Sequence, residues 1–298
     1  MRIVTRPDFD GVVCAVLLCE ALDVKEPVKW VEPSEIQRGL VDIRQGDIIT
    51  NLPYDERGTL WFDHHYTNRT DKPFQGSFQI APSAAGIIYR HYQDRLHRDY
   101  HELVQAADKI DAADLTLDEV LRPEKHDYVL LSLTISKDIQ PDVSYWNKLV
   151  DLLRKFEIQK VLEDAEVKQR CQAVIEQNAR YADFLKDNTR LVQHVSVTDL
   201  RAFDPPPVGN RFLVYSLYPE AVVNVRIRYE DPRQETITLN VGHSIFNPHC
   251  NVNAGLMLSR YGGGGHRAAG ACRFPAHKGD EYIPQIIDIL VKNENNEN

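Results

Sequence analysis

The sequence predicts an α/β protein of two units: an N-terminal parallel sheet in a Rossmann-like arrangement, then a smaller C-terminal α/β unit. Three observations carry that reading. In the first half, short β-branched runs alternate with helical patterns, the rhythm of parallel strands joined by crossovers. From Pro141 to Leu191 the chain is charged, helically patterned and free of further Gly or Pro, as a helical connector would be. Beyond it, strand-like runs return.

Each element follows in order. Arg2 to Thr5 reads as a strand, and Gly11 to Leu22 as a helix apolar on nearly all sides, hence buried. Val28 to Val31, Asp47 to Thr50 and Thr59 to Phe62 read as further strands. Ser83 is placed as the N-cap of a helix running through Arg95. Two or three helices fill the connector, and the boundary is drawn to give units of residues 1–190 and 191–298. Phe203 to Gly209, with three prolines, is an irregular loop. Strands are expected at Phe212 to Leu217, Val222 to Tyr229 and Thr236 to Val241. A helix from Asn251 to Tyr261, a strand near Gly270 to Phe274 and a last helix near Tyr282 to Val291 complete the unit. The polar tail from Lys292 onward is expected to fray.

Composition narrows the function classes. Across 298 residues, 43% are hydrophobic and 27% charged, the profile of a soluble globular chain with room for two cores. No apolar run approaches the roughly 18 residues of a membrane span. Met1 leads straight into a strand, so no cleavable signal is expected. Cys14, Cys19, Cys171, Cys250 and Cys272 lack a CxxC pairing and read as buried reduced thiols of a cytoplasmic protein. A formal charge of −9 argues against a protein that coats long duplex nucleic acid, but leaves room for a small phosphorylated substrate held by a local metal. A homodimer is compatible with the sequence.

Three segments carry chemistry. Asp8-Phe9-Asp10-Gly11 puts two carboxylates at a strand-to-helix turn, a set suited to hard divalent cations. The alternative is a helix N-terminus with acids favoured by the macrodipole. Leu60-Trp61-Phe62-Asp63-His64-His65 runs a strand into a carboxylate and two imidazoles, in which one His can bind metal and the other substrate. The alternative is a satisfied polar strand end. Gly262 to Gly265 precede His266 and Arg267; successive glycines let amides converge on an anion, or form a flexible turn.

These segments, in this order, resemble the DHH/DHHA1 phosphoesterases, including their exopolyphosphatase-related and oligoribonuclease-like group, over nearly the whole chain. The resemblance implies hydrolysis of phosphoesters or phosphoanhydrides at Mn²⁺, with Mg²⁺ as the other candidate ion. It implies Asp8 and Asp10 as metal contacts, His64 as a ligand and His65 against the phosphate. Asp108 is implied as the fourth-motif carboxylate, with Asp111 a close rival and Asp114 a distant one. Ser244, Gly263, Gly264, Gly265 and His266 would hold the other end of the substrate, in a cleft between the two domains. Two positions depart from the family pattern: Val4 stands where a His is usual, and Asn51 where a metal-bridging Asp is usual. A neutral amide cannot offset two dications about 4 Å apart as a carboxylate does. One well-formed metal site, at Asp10, His64 and Asp108, is therefore expected. Arg6 could bind phosphate oxygens bidentately beside the weakened site, or simply pair with an acidic neighbour. The expected substrates are a short oligonucleotide, a cyclic dinucleotide, pAp or polyphosphate. The other function class is a nucleotide- or phosphate-sensing protein whose hydrolysis has weakened.

Overall fold

The computed structural model describes residues 1–135 and 142–297. In chain order the elements are β1 (Arg2–Thr5), α1 (Phe9–Leu22), β2 (Lys29–Trp30), α2 (Pro33–Gln37), β3 (Asp47–Thr50), β4 (Leu60–Asp63), β5 (Gly76–Phe78), α3 (Ala84–Tyr92), α4 (His101–Asp111), α5 (Leu117–Leu121) and α6 (Asp127–Leu133). There follow α7 (Val143–Lys155), α8 (Ile158–Leu162), α9 (Ala165–Asn188), β6 (Thr189–Val192), β7 (Val195–Asp199), α10 (Leu213–Leu217), β8 (Val223–Tyr229), β9 (Thr236–His243), α11 (Ala254–Ser259), β10 (Gly264–Gly265), β11 (Ala269–Pro275) and α12 (Gly279–Lys292). The chain divides into two compact units: residues 1–115 with 123–174, and residues 116–122 with 175–298. The expected start of the connector at Pro141 lies outside the described residues.

The first unit is built on a five-stranded sheet of order β2-β1-β3-β4-β5, parallel throughout. Its central strands are buried on both faces, as parallel sheets require: Ile3, Val4, Ile48 and Ile49 are all fully enclosed. Against one face lies α1, whose every residue from Phe9 to Cys19 is buried because it packs on β1, α3, α4 and α7 together. Its all-round apolar composition has this cause. The opposite face is closed by Val4, Val31, Ile36, Val41, Ile43, Ile49, Leu52 and Trp61. The Trp61 ring stacks on Phe78 at 5.3 Å and donates its indole N–H to the Leu52 carbonyl at 2.9 Å.

From β1 the chain moves outward to β2, then returns across β1 to β3. That reversal of strand order lies between β1 and β3, and in such sheets the crevice beyond the carboxyl ends of the strands at the reversal is where ligands bind. Asp8 leaves β1 and Asn51 leaves β3 on either side of it, with Asp63 and His64 ending the neighbouring β4.

The second unit holds a six-stranded mixed sheet of order β10-β11-β9-β8-β7-β6, in which only β7 and β8 run parallel. Its apolar face packs with α11 and α12 around Val225, Leu239, Met257 and Ile286. Three readings of the sequence are corrected here. Phe212 to Leu217, expected as a strand, is the helix α10 with Phe212 as its cap. The buried Asn210 starts it, its side-chain oxygen accepting from Phe212 N at 3.0 Å and its carbonyl from Leu213 N at 3.1 Å. A short apolar run carries no period that separates the two states. The β6–β7 hairpin replaces the last turn of the expected connector and a segment left unassigned. The tail does not fray through Glu297: Asn293 and Asn296 accept from the amides of Asn251 and Asn253, both at 2.7 Å.

The β1–α1 turn rests on one close approach. A Cβ on Gly11 would stand 1.9 Å from the Arg6 carbonyl oxygen and 2.9 Å from Thr5 Oγ1, so only glycine lets the helix start where it does. Gly11→Ala is expected to cost about 1–3 kcal/mol of stability by urea denaturation, since backbone must shift to relieve the clash. An unchanged midpoint would refute this account of the turn.

Candidate metal and phosphoester site

The site is assembled at the carboxyl ends of β1, β3 and β4. Asp8, the N-cap of α1, is saturated by its neighbours. Its Oδ1 accepts from Gly11 N and from Asn51 Nδ2, each at 2.9 Å, while Arg6 Nε lies 3.1 Å from Oδ2. Asn51 reaches it because the residue sits in the left-handed region at φ 55, a conformation Asn tolerates better than most. Val4, at the position where the family resemblance implies His, is instead sealed in the apolar layer.

Asp10, in the first turn of α1, is 2% exposed. Its oxygens accept the backbone amides of Ala84 at 3.0 Å and Ala85 at 2.8 Å, the first free donors of α3. Burial, then the charges of Asp111 and Asp8, hold its carboxyl well above the usual range, with the two amides opposing them.

The three residues at the end of β4 point to different partners. Asp63 is fully buried and accepts from His65 Nδ1 at 2.9 Å and Asn68 Nδ2 at 2.7 Å, so it orients its neighbours. His64 is nine-tenths buried, and its Nδ1 lies 2.9 Å from the Ala81 carbonyl. A carbonyl only accepts, so Nδ1 carries the proton and Nε2 presents a lone pair. That Nε2 is buried without a hydrogen-bond partner, 3.2 Å from Asp111 Oδ2 and 3.8 Å from Asp10 Oδ2. The His65 ring centre lies 4.2 Å from that of His64. Burial works against a charge on His65, but its hydrogen bond to Asp63 and the charges of Asp63 and Asp111 raise its pKa above the ordinary value.

The structure departs from two expected ligands. Asp108 is spent on helix capping: Ser83 Oγ donates to its Oδ1 at 2.5 Å and itself accepts from Gly86 N at 2.9 Å. A Cβ on Gly86 would meet the Asp108 carboxylate at 2.7 Å, so the glycine makes that room. Asp111, one turn further along α4, is the carboxylate brought to His64; Asp114 is exposed beyond the helix end. Both acids share a face of α4, and only the placement of that helix decides between them. Asp8 also stays outside the grouping, its oxygens already engaged.

Among the described residues, Asp10, His64 and Asp111 place their ligand atoms within 4.8 Å of one another. Two carboxylate oxygens and one neutral imidazole nitrogen fit Mn²⁺ or Mg²⁺, and the unpartnered His64 Nε2 is what such an ion would satisfy. The backbone carbonyl behind Nδ1 is the outer partner that metal-bound histidines characteristically have. The Ala84 and Ala85 amides, the Ala81 carbonyl and Asn68 were not foreseen; main-chain donors carry no residue signature, although Ser83 as an N-cap located the amides indirectly.

In the second unit, the glycine loop differs from an open anion nest. The amides of Gly263 and His266 donate to Leu258 O at 3.0 Å and Ala269 O at 2.7 Å, and Gly264–Gly265 pair with β11. A Cβ on Gly263 would stand 2.2 Å from Ala271 O and one on Gly265 2.4 Å from Ala269 O, whereas one on Gly264 meets nothing within 4 Å. His266 is exposed, and buried Ser244 uses its hydroxyl oxygen to accept from Phe246 N and Asn247 N at 3.3 and 3.2 Å.

The description MYG1_exonuc, an uncharacterised protein family (UPF0160), matches residues 37–189, just over half of the chain. No curated protein matches. Among solved structures, PggH, a pGpG-specific phosphodiesterase from Vibrio cholerae, is 30% identical with a TM-score of 0.84, over 98% of this chain and 99% of its own. RecJ of Thermus thermophilus, solved with Mn²⁺, is 14% identical with a TM-score of 0.60, over 98% of this chain and 52% of its own. An exonuclease RecJ bound to manganese gives 13% identity and a TM-score of 0.55, over 98% and 90%. The last two show a shared fold. This chain belongs to the MYG1_exonuc family (UPF0160), and its fold is that of the DHH-type phosphoesterases.

Proposed function

We propose that this chain is a divalent-metal-dependent phosphoesterase acting on a short nucleotide. The observation that carries the reading is the buried, unpartnered Nε2 of His64 between Asp10 and Asp111. A dinucleotide is the favoured substrate, supported by 30% identity to a pGpG-specific phosphodiesterase across nearly the full length of both chains. Oligonucleotide ends, cyclic dinucleotides, pAp and polyphosphate are the other substrates to compare.

Asp10, His64 and Asp111 would hold a single ion, Mn²⁺ or Mg²⁺. When bound, such an ion lowers the pKa of water and draws charge from phosphoryl oxygens. The protein's own groups do the rest. The Ala84 and Ala85 amides hold Asp10 rigid, so its oxygens need no reordering when the ion arrives. The Ala81 carbonyl keeps the His64 proton on Nδ1. His65, charged more readily than a free imidazole through Asp63, has its Nε2 free to donate to a phosphoryl oxygen or to move a proton. For the second unit taken by itself, Gly264 and His266 are proposed as nucleotide contacts, Gly264 because a side chain there would meet nothing within 4 Å.

Three outcomes are expected. Turnover of a dinucleotide panel should require Mn²⁺ or Mg²⁺ and fall by roughly 100-fold or more in Asp10→Ala and His64→Ala, beyond what loss of an outer-shell partner causes. Tight nucleotide binding with no turnover at any metal concentration would favour a sensor instead. Thermal unfolding should move upward with added Mn²⁺; Asp111→Asn, which removes a charge that repels Asp10, should match or exceed the metal-free wild type yet lose that response. A Mn²⁺ shift surviving in Asp111→Asn would exclude the ligand set. Gly264→Ala should fold normally and raise KM, because the added methyl meets no protein atom, whereas Gly263→Ala should lower stability by about 1–3 kcal/mol. Equal KM values for Gly264→Ala and wild type would remove the loop from the substrate site.

A further inference from the structure

Arg6, Asp8 and Asn51 form a charged group that the Asp10–His64–Asp111 site does not use. Arg6 Nε is 3.1 Å from Asp8 Oδ2, yet its N–H is turned off the line of a hydrogen bond. The contact is an ion pair without hydrogen bonding. The buried Nε of this guanidinium has no hydrogen-bond partner, although the side chain as a whole is 31% exposed. Asn51 Oδ1, in a residue 1% exposed, is likewise without a partner, while its Nδ2 is committed to Asp8. An unspent donor on a half-enclosed cation at the carboxyl end of β1 calls for an anion with several acceptors.

The charges divide in the same way. Asp8, Asp10 and Asp111 together carry three negative charges when ionised. Asp8 already has a cation, but no Lys or Arg pairs with Asp10 or Asp111 among the described residues. A second divalent ion at Asp8 would have to displace a guanidinium and would find a neutral amide at Asn51 turned donor-first toward the same carboxylate.

We propose that Arg6, paired with Asp8, is a resident cation standing in for a second metal. The chain binds a single exchangeable divalent ion, and the Arg6 guanidinium grips a phosphoryl oxygen of the substrate beside it. This rests on the reading of the site as a phosphoester centre, and its test does not need hydrolysis. Calorimetric titration of the full chain with Mn²⁺ should give a single ion, and inorganic phosphate should then bind the Mn²⁺-loaded protein. Arg6→Gln should weaken phosphate roughly 10- to 100-fold, the worth of a charge-assisted contact, with Mn²⁺ still binding. Arg6→Lys, which keeps the charge but not the planar fork, should also bind a single ion and should lose about threefold or more in phosphate affinity. Two ions on the wild-type chain, or phosphate affinity unchanged in both variants, would overturn the proposal. A chain that hydrolyses nothing in the panel but passes this test leaves the cation assignment standing while the enzymatic reading fails.

Discussion

The acceptance of the Ala84 and Ala85 amides by Asp10 is the interaction on which the site depends. It joins the turn after β1 to the start of α3, elements 74 and 75 residues apart in sequence. A carboxylate satisfying the open N-terminus of a helix is favourable in its own right, through both hydrogen bonding and the macrodipole. Here it also places a charge in a fully enclosed position, near two further acids. The fold thus fixes a buried acidic pocket whose charge is costly, and the raised pKa of Asp10 reports that cost.

The surroundings of that pocket are arranged so that each polar group has one task. Asp63 aligns His65 and Asn68, Asp108 steadies the Ser83 cap, and Asp8 holds Arg6 and Asn51. Among the described residues, His64 Nε2 is the buried atom left without a hydrogen-bond partner beside Asp10 and Asp111. Sorting these groups by what already satisfies them is more informative than counting them, because it sets Asp10, His64 and Asp111 apart from the rest.

Glycine serves two purposes in this chain. Gly11 and Gly86 make room for a carbonyl and for a carboxylate, and so position Asp8, Asp10 and Asp108. In the loop before His266, Gly263 and Gly265 permit close strand pairing, and Gly264 alone has open space where a side chain would be. A run of four identical residues in sequence therefore holds different roles, which no reading of the run itself could separate.

The sequence by itself determined the parallel sheet, because β-branched runs buried on both faces have few other solutions, and it determined that Asp10 and His64 stand at strand ends. Strand and helix positions around them, including β3 and the Ser83 cap, were legible from local chemistry. Tertiary structure decided what local chemistry leaves degenerate. Asp108 and Asp111 lie one turn apart on a single helix face, and only the seating of α4 against α3 and His64 separates the acid that steadies the Ser83 cap from the one beside His64. Phe212 to Leu217 has no period of its own, so Asn210 and the packing around it made a helix. Arg6 could have been any surface arginine; the tight turn after β1 is what brings its Nε within 3.1 Å of Asp8 Oδ2. Residue type and spacing set which groups are near a strand end, but whether a charge there is satisfied depends on atoms distant in the chain.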